Sequence, residues 1–200
     1  MRATRFLVIP FATCAWLGCE RELPPGEFVA AYEASQTASV EMSGYRFTAL
    51  LQNQDYLNAK SSLEELGKVD AIKSGPQVIL RIASATPPGD IPDISKDPLY
   101  SSLSSGENAF QERLRLFQFG FAQYAELDYG HGEKVAAVAS RYSRNPIANG
   151  YASFLFQFPI RKNKNSPKDE QLQLVIRDFG LATGTLRIPL KAITELKLKG

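Results

Sequence analysis

The chain has 200 residues, is 44% hydrophobic and carries a formal net charge of +2. That apolar share supports a packed core and excludes a disordered chain. The near balance of 23 basic against 21 acidic residues removes the long-range attraction that a nucleic-acid binder needs.

The first segment has the order of an export signal. Arg2 and Arg5 make a basic start, Phe6 to Leu17 is an apolar run interrupted by Pro10, and Gly18 precedes Cys19. Such a run is shorter than the roughly 20 apolar residues that span a bilayer, and its flanks fit a removable signal. The segment resembles the signal of bacterial lipoproteins, in which a small residue precedes the cysteine that receives the lipid. Trp16 stands where that family usually has Leu, and Cys14, after Thr13, is a rival acceptor. The resemblance implies cleavage after residue 18 and lipidation of Cys19. Two or three acyl chains, at about 0.8 kcal/mol per buried methylene, would then make a durable anchor. Glu20 after the cysteine, instead of Asp, favours the outer membrane by the same resemblance. Loss of Arg2 and Arg5 would leave the remaining chain with balanced charge, and both cysteines would lie outside its core, so no disulfide or cysteine metal site is expected.

The expected organisation is a signal at 1–18, a lipid-anchored tether at 19–26 containing Pro24-Pro25-Gly26, and one domain at 27–200. Phe28 and Tyr32, spaced i,i+4, predict a short helix from Gly26 to about Ser35. Tyr45, Phe47 and Ala49 predict a strand within Val40–Leu51. Leu63 and Leu66 before Gly67 predict a helix over Asn58–Leu66. Val78, Leu80 and Ile82 mark the next strand. A proline-rich excursion follows at 87–106, whose Leu99 and Leu103 argue that it packs. Glu107–Arg115 reads equally as a helical turn or a strand start.

The densest alternation begins at Phe117, Phe119 and Phe121, which a strand would place on one face. Asp128–Glu133 reads as a turn into a strand over Lys134–Tyr142. Phe154, Phe156 and Phe158, then Leu172, Leu174 and Ile176, then Leu186, Ile188 and Leu190, give three further strands. The expected fold class is mainly β, an antiparallel β-sandwich with one or two short helices near the N-terminus; a closed barrel has the same alternation. The pattern from Pro76 to Leu190 is similar to the immunoglobulin-like sandwiches of exported bacterial proteins, without the cysteine pair and core tryptophan of antibody domains.

Chemistry-bearing motifs are few. His131 is the single histidine and lies between glycines in a predicted turn, which excludes multi-histidine metal sites and orients an imidazole poorly for a triad. Asp178-Phe179-Gly180 matches the magnesium-binding tripeptide of protein kinases without the rest of that signature, and reads as a strand end with Phe179 packing and Gly180 turning. Glu64-Glu65 and Asp169-Glu170 are sequence neighbours, so their carboxylates face apart. The run containing Arg161, Lys162, Lys164 and Lys168 places four cations at a hairpin tip, read either as a solvated loop that guards the sheet edge or as a contact for an anionic surface or partner. No catalytic residue, cofactor or metal is expected. The reading is a lipid-anchored protein of the periplasm or outer membrane that acts by binding, as an accessory or assembly factor of an envelope complex or as a ligand-binding module, with another envelope protein as the expected partner. Its contacts would lie on the 87–106 excursion and the basic hairpin. A carrier of a lipid or other apolar ligand, with the aromatic rows lining a cavity, is the second reading, and a hydrolase using serine or carboxylate groups the third.

Overall fold

A computed structural model of the chain describes residues 22–64, 75–85, 97–130, 132–145, 151–160, 172–190 and 197–198. The fold is β-rich, with antiparallel sheets and, among the described residues, three α-helices. In chain order the elements are β1 (Glu22–Leu23), α1 (Pro25–Gln36), β2 (Ala38–Met42), β3 (Tyr45–Gln52), α2 (Gln54–Leu63) and β4 (Gln77–Ser84). They continue with α3 (Glu107–Arg115), β5 (Ala125–Asp128), β6 (Lys134–Ala136), β7 (Ala139–Asn145), β8 (Tyr151–Gln157), β9 (Gln173–Ile176), β10 (Leu186–Pro189) and β11 (Lys197–Leu198). One sheet has the order β2-β3-β4-β8-β7 and a second the order β10-β9-β5-β6, both antiparallel throughout; β1 and β11 form a short parallel pair.

The strand predicted within Val40–Leu51 is β3, which carries Tyr45, Phe47 and Ala49, and β2 precedes it across a turn. Ser43 and Gly44 have φ of 53° and 78°, the pair of positive values that a tight two-residue hairpin needs, and Met42 pairs with Tyr45 across them. From there the alternation works as period 2 requires. Phe47 and Ala49 on β3, Val78, Leu80 and Ile82 on β4, and Phe154 and Phe156 on β8 are buried on one face of the five-stranded sheet. Leu127, Leu174, Ile176, Leu186 and Ile188 from the four-stranded sheet, together with Phe158 beyond β8, join the same apolar cluster. At about 1.5–3 kcal/mol for each large apolar side chain, this shared core is the main stabilising term.

The other face of the five-stranded sheet is half covered. Pro25 occupies the first turn of α1, where its missing N–H is no loss. Phe28 and Tyr32 then fall on one side of the helix and are fully buried. α2 begins at Gln54, four residues earlier than the expected Asn58, and is capped by Asn53, whose side chain accepts a 2.7 Å bond from the Tyr56 amide. The two helices close over Leu50, forming a second cluster of Phe28, Tyr32, Leu50, Tyr56 and Ala59. This is how the described part of 36–74 packs on the sheet.

Two sequence expectations are corrected. The helices are not confined to the N-terminal region: Glu107–Arg115 is α3, which runs on as a π-helical turn at Leu116–Gly120 and a 3-10 turn at Phe121–Tyr124. Phe117, Phe119 and Phe121 are therefore not a strand row. Phe117 and Phe121 are fully buried, and Phe119 is 81% exposed. In helical geometry residues four apart share a face and the residue midway between them points away. Nor is Lys134–Tyr142 one strand. The Ala137 amide bonds to the Ala125 carbonyl and the Val138 amide to the Gln157 carbonyl, each at 2.9 Å, so the chain leaves one sheet and enters the other between adjacent residues.

Candidate functional site

A cleft of about 500 Å³ has three walls: a 3-10 turn at Tyr100–Ser105, helix α3 and the loop after β9. Ser101, Ser102, Ser105, Glu112 and Arg113 face it, with Tyr45 and the 180–182 segment opposite.

Each wall is locally fixed. Asp97 Oδ1 accepts the Leu99 and Tyr100 amides at 2.9 and 3.0 Å, and the Ser102 hydroxyl donates to the Leu99 carbonyl at 2.7 Å. Such side-chain-to-backbone bonds hold a tight turn without a regular ladder. Asp97, Leu99 and Ser102 are buried, so the described end of the excursion does pack. The opposite wall repeats the device: Asp178 Oδ1 accepts the Gly180 and Leu181 amides at 2.9 and 3.1 Å, Phe179 is buried, and Gly180 turns at φ 97°. The Asp-Phe-Gly tripeptide is thus a turn with a packed ring. The Ser43 hydroxyl donates to the Ala182 carbonyl at 3.0 Å, tying the β2–β3 turn to the same loop.

Arg113 joins the walls. Its guanidinium donates to the Pro98 carbonyl at 3.2 Å and the Gly180 carbonyl at 3.1 Å, and lies 6.0 Å from the ring centres of Phe117 and Phe179. Burial pulls its pKa below the ordinary arginine value, while Tyr45 and Asp178 act the other way. No ion pair of Arg113 occurs among the described residues. Nothing in the sequence marks Arg113 except its i,i+4 relation to Phe117, because its acceptors are backbone carbonyls far along the chain.

The aromatic rows meet one another. Phe121 lies 4.1 Å from Phe154 and 4.7 Å from Phe179 between ring centres, and Phe117 meets Phe154 edge-on at 5.0 Å. Edge and offset contacts at such spacings are favourable for aromatic rings.

Cys19, Arg161, Lys162, Lys164, Lys168 and His131, with residues 87–96 of the excursion, lie outside the described residues. Among the described residues no group of three or more His, Cys, Asp or Glu is placed to hold a metal, and no helix is long and apolar enough to cross a membrane. Compared with known proteins, the chain matches no family model, no curated protein and no solved structure.

Proposed function

We propose that the chain is a lipid-anchored cell-envelope protein that acts by binding another envelope protein. Its two sheets would form an immunoglobulin-like sandwich, held above the membrane by a tether from Cys19. The contact site is the cleft between the Tyr100–Ser105 turn, α3 and the 180–182 loop. The observation that carries this reading is the pinning of an irregular segment. A turn anchored at Asp97 and bridged by Arg113 to Gly180 offers hydroxyls and backbone groups in a preset arrangement on a rigid scaffold, and recognition favours such loops because little entropy is lost on contact. The order of basic start, short apolar run and Gly18-Cys19 supports the anchor.

Two measurements test the halves separately. Mass analysis and detergent partitioning of the wild type and Cys19→Ala test the anchor; an unmodified chain beginning at Met1 would overturn it. Photo-crosslinking from a reactive residue placed at Ser105, in native membranes, tests the cleft. A discrete adduct that disappears with Ala109→Arg is expected, and crosslinks unaffected by that change would remove the cleft from the binding surface.

A further inference from the structure

A second concavity, of about 390 Å³, lies on the half of the five-stranded sheet that α1 and α2 leave uncovered. Its composition is one-sided. Lys60, Arg81, Arg141 and Arg144 line it, with the hydroxyl residues Ser143, Tyr151 and Ser153, and no described lining residue is acidic.

The register explains the convergence. Arg81 pairs with Ser153, and Ser153 with Ser143, so one cross-strand row reads Arg81–Ser153–Ser143. Two residues along each strand, Ile79 pairs with Leu155 and Leu155 with Arg141, so the next row reads Ile79–Leu155–Arg141. Adjacent strands lie about 4.8 Å apart. Arg81 and Arg141 therefore occupy diagonal corners of a patch whose centre is Ser153 and Leu155, within reach of both long side chains. Lys60 approaches from α2. Arg81 is steadied by Tyr151, whose ring centre lies 5.9 Å from its guanidinium carbon.

Three of these four cations are at most weakly neutralised. Arg144 gives its guanidinium to Asp97 at 2.8 Å and so is already committed. Arg81 reaches Glu33 only at 4.0 Å, and that same Glu33 oxygen accepts the Tyr56 hydroxyl at 2.6 Å. Arg141 and Lys60 make no ion pair among the described residues.

We infer that this groove binds a phosphate ester. Guanidinium forks and hydroxyl donors match the oxygens of a phosphate group, and Lys60 and Arg141, together with an Arg81 that meets Glu33 only at 4.0 Å, favour a ligand of more than one negative charge. The groove falls within the roughly 300–1,000 Å³ of ligand sites, far larger than a bare phosphate. The ester's organic part rests on Ile79 and Leu155. The site is separate from the cleft of the proposed function and does not depend on it.

The test is titration of the intact protein, in neutral detergent micelles at pH 7.5, with phenyl phosphate, followed by the amide resonances of Ser143 and Ser153. Saturable shifts at millimolar or lower concentration are expected, with no response to benzyl alcohol. Arg81→Gln combined with Arg141→Gln should weaken binding at least tenfold. Glu33→Gln, which keeps an oxygen for Tyr56 and removes the nearby negative charge, should strengthen it several-fold; a misfolded variant could not produce that gain. Doping the micelles with phosphatidylglycerol separates the sources. Shifts there but not with phenyl phosphate assign the ester to a lipid headgroup, and the reverse assigns it to a soluble metabolite. Absence of saturable shifts with both, or shifts that the double variant leaves unchanged, would overturn the inference.

Discussion

Arg144 on β7 and Asp97, 47 residues earlier, form a 2.8 Å ion pair at the edge of the five-stranded sheet, with the Arg144 guanidinium 4.3 Å from the Tyr100 ring centre. The Asp97 side chain is 9% exposed and that of Arg144 21%, so water screens the pair little. One oxygen of Asp97 serves Arg144 while the other holds the Leu99 and Tyr100 amides. Asp97→Ala is expected to cost about 3 kcal/mol, because it leaves an inward guanidinium and two amides without acceptors. Asp97→Asn, which keeps one oxygen acceptor, should cost less. Urea unfolding midpoints of the two variants and of Arg144→Met provide the check.

The helical register of residues 116–124 gives a sharp contrast between neighbours. Phe121→Ala should destabilise by about 3–5 kcal/mol, since it opens a cavity among Phe117, Phe154 and Phe179. Phe119→Ser should stay within about 0.5 kcal/mol. Similar large losses at both residues, measured by thermal unfolding, would contradict the helical assignment.

Gly75 is constrained by both conformation and space. Its φ is +81°, and a Cβ there would lie 2.2 Å from the Phe158 carbonyl oxygen. Gly44 has a similar φ of +78° with nothing within 4 Å of its would-be Cβ. Alanine at Gly44 should cost about 1–2 kcal/mol from conformation alone. Alanine at Gly75 should cost clearly more, because the β4 and β8 ends must also separate. Comparing the two unfolding midpoints isolates the contact from the backbone preference.

The helix–sheet cluster should be sensitive to alkali. Burial raises the phenol pKa of both Tyr32 and Tyr56 above the ordinary value, and for Tyr56 the bonded Glu33 adds to the rise. A raised folded-state pKa means that the unfolded chain releases these protons first. Their contribution is fully present below about pH 10, the unfolded phenol value, and is lost as pH climbs toward the folded one. Melting temperatures between pH 8 and 11.5 should be level at first and then fall, and Tyr56→Phe should make the fall shallower. An equally steep fall in that variant would remove Tyr56 from the explanation.

An acid-side effect is expected at the β5–β6 turn. Asp128 accepts the Gly130 amide and then the Arg187 guanidinium, both at 3.0 Å, and these hold its carboxyl below the usual range. A depressed pKa gives stability that is present above about pH 4 and lost as pH falls through the folded value. Asp128→Asn should reduce the difference in stability between pH 5 and pH 3, read by denaturant titration at each pH.

Local periodicity was enough for much of the scaffold. Val78-Leu80-Ile82, Phe154-Phe156 and Leu186-Ile188 alternate as half-buried strands must, and Phe28–Tyr32 has the spacing of a helix face, because these patterns depend only on backbone geometry and on which side meets water. The tertiary structure alone decided the rest. A Phe-x-Phe-x-Phe run satisfies a strand by burying all three rings and a helix by burying the outer two, and only the presence of Phe154 and Phe179 opposite Phe117 and Phe121 selects the helix. The change of sheet at Ala137–Val138 rests on two carbonyls from different strands, and the cleft on a guanidinium spanning 67 residues to Gly180. Backbone acceptors carry no side-chain signature, so these junctions become visible only when distant segments meet.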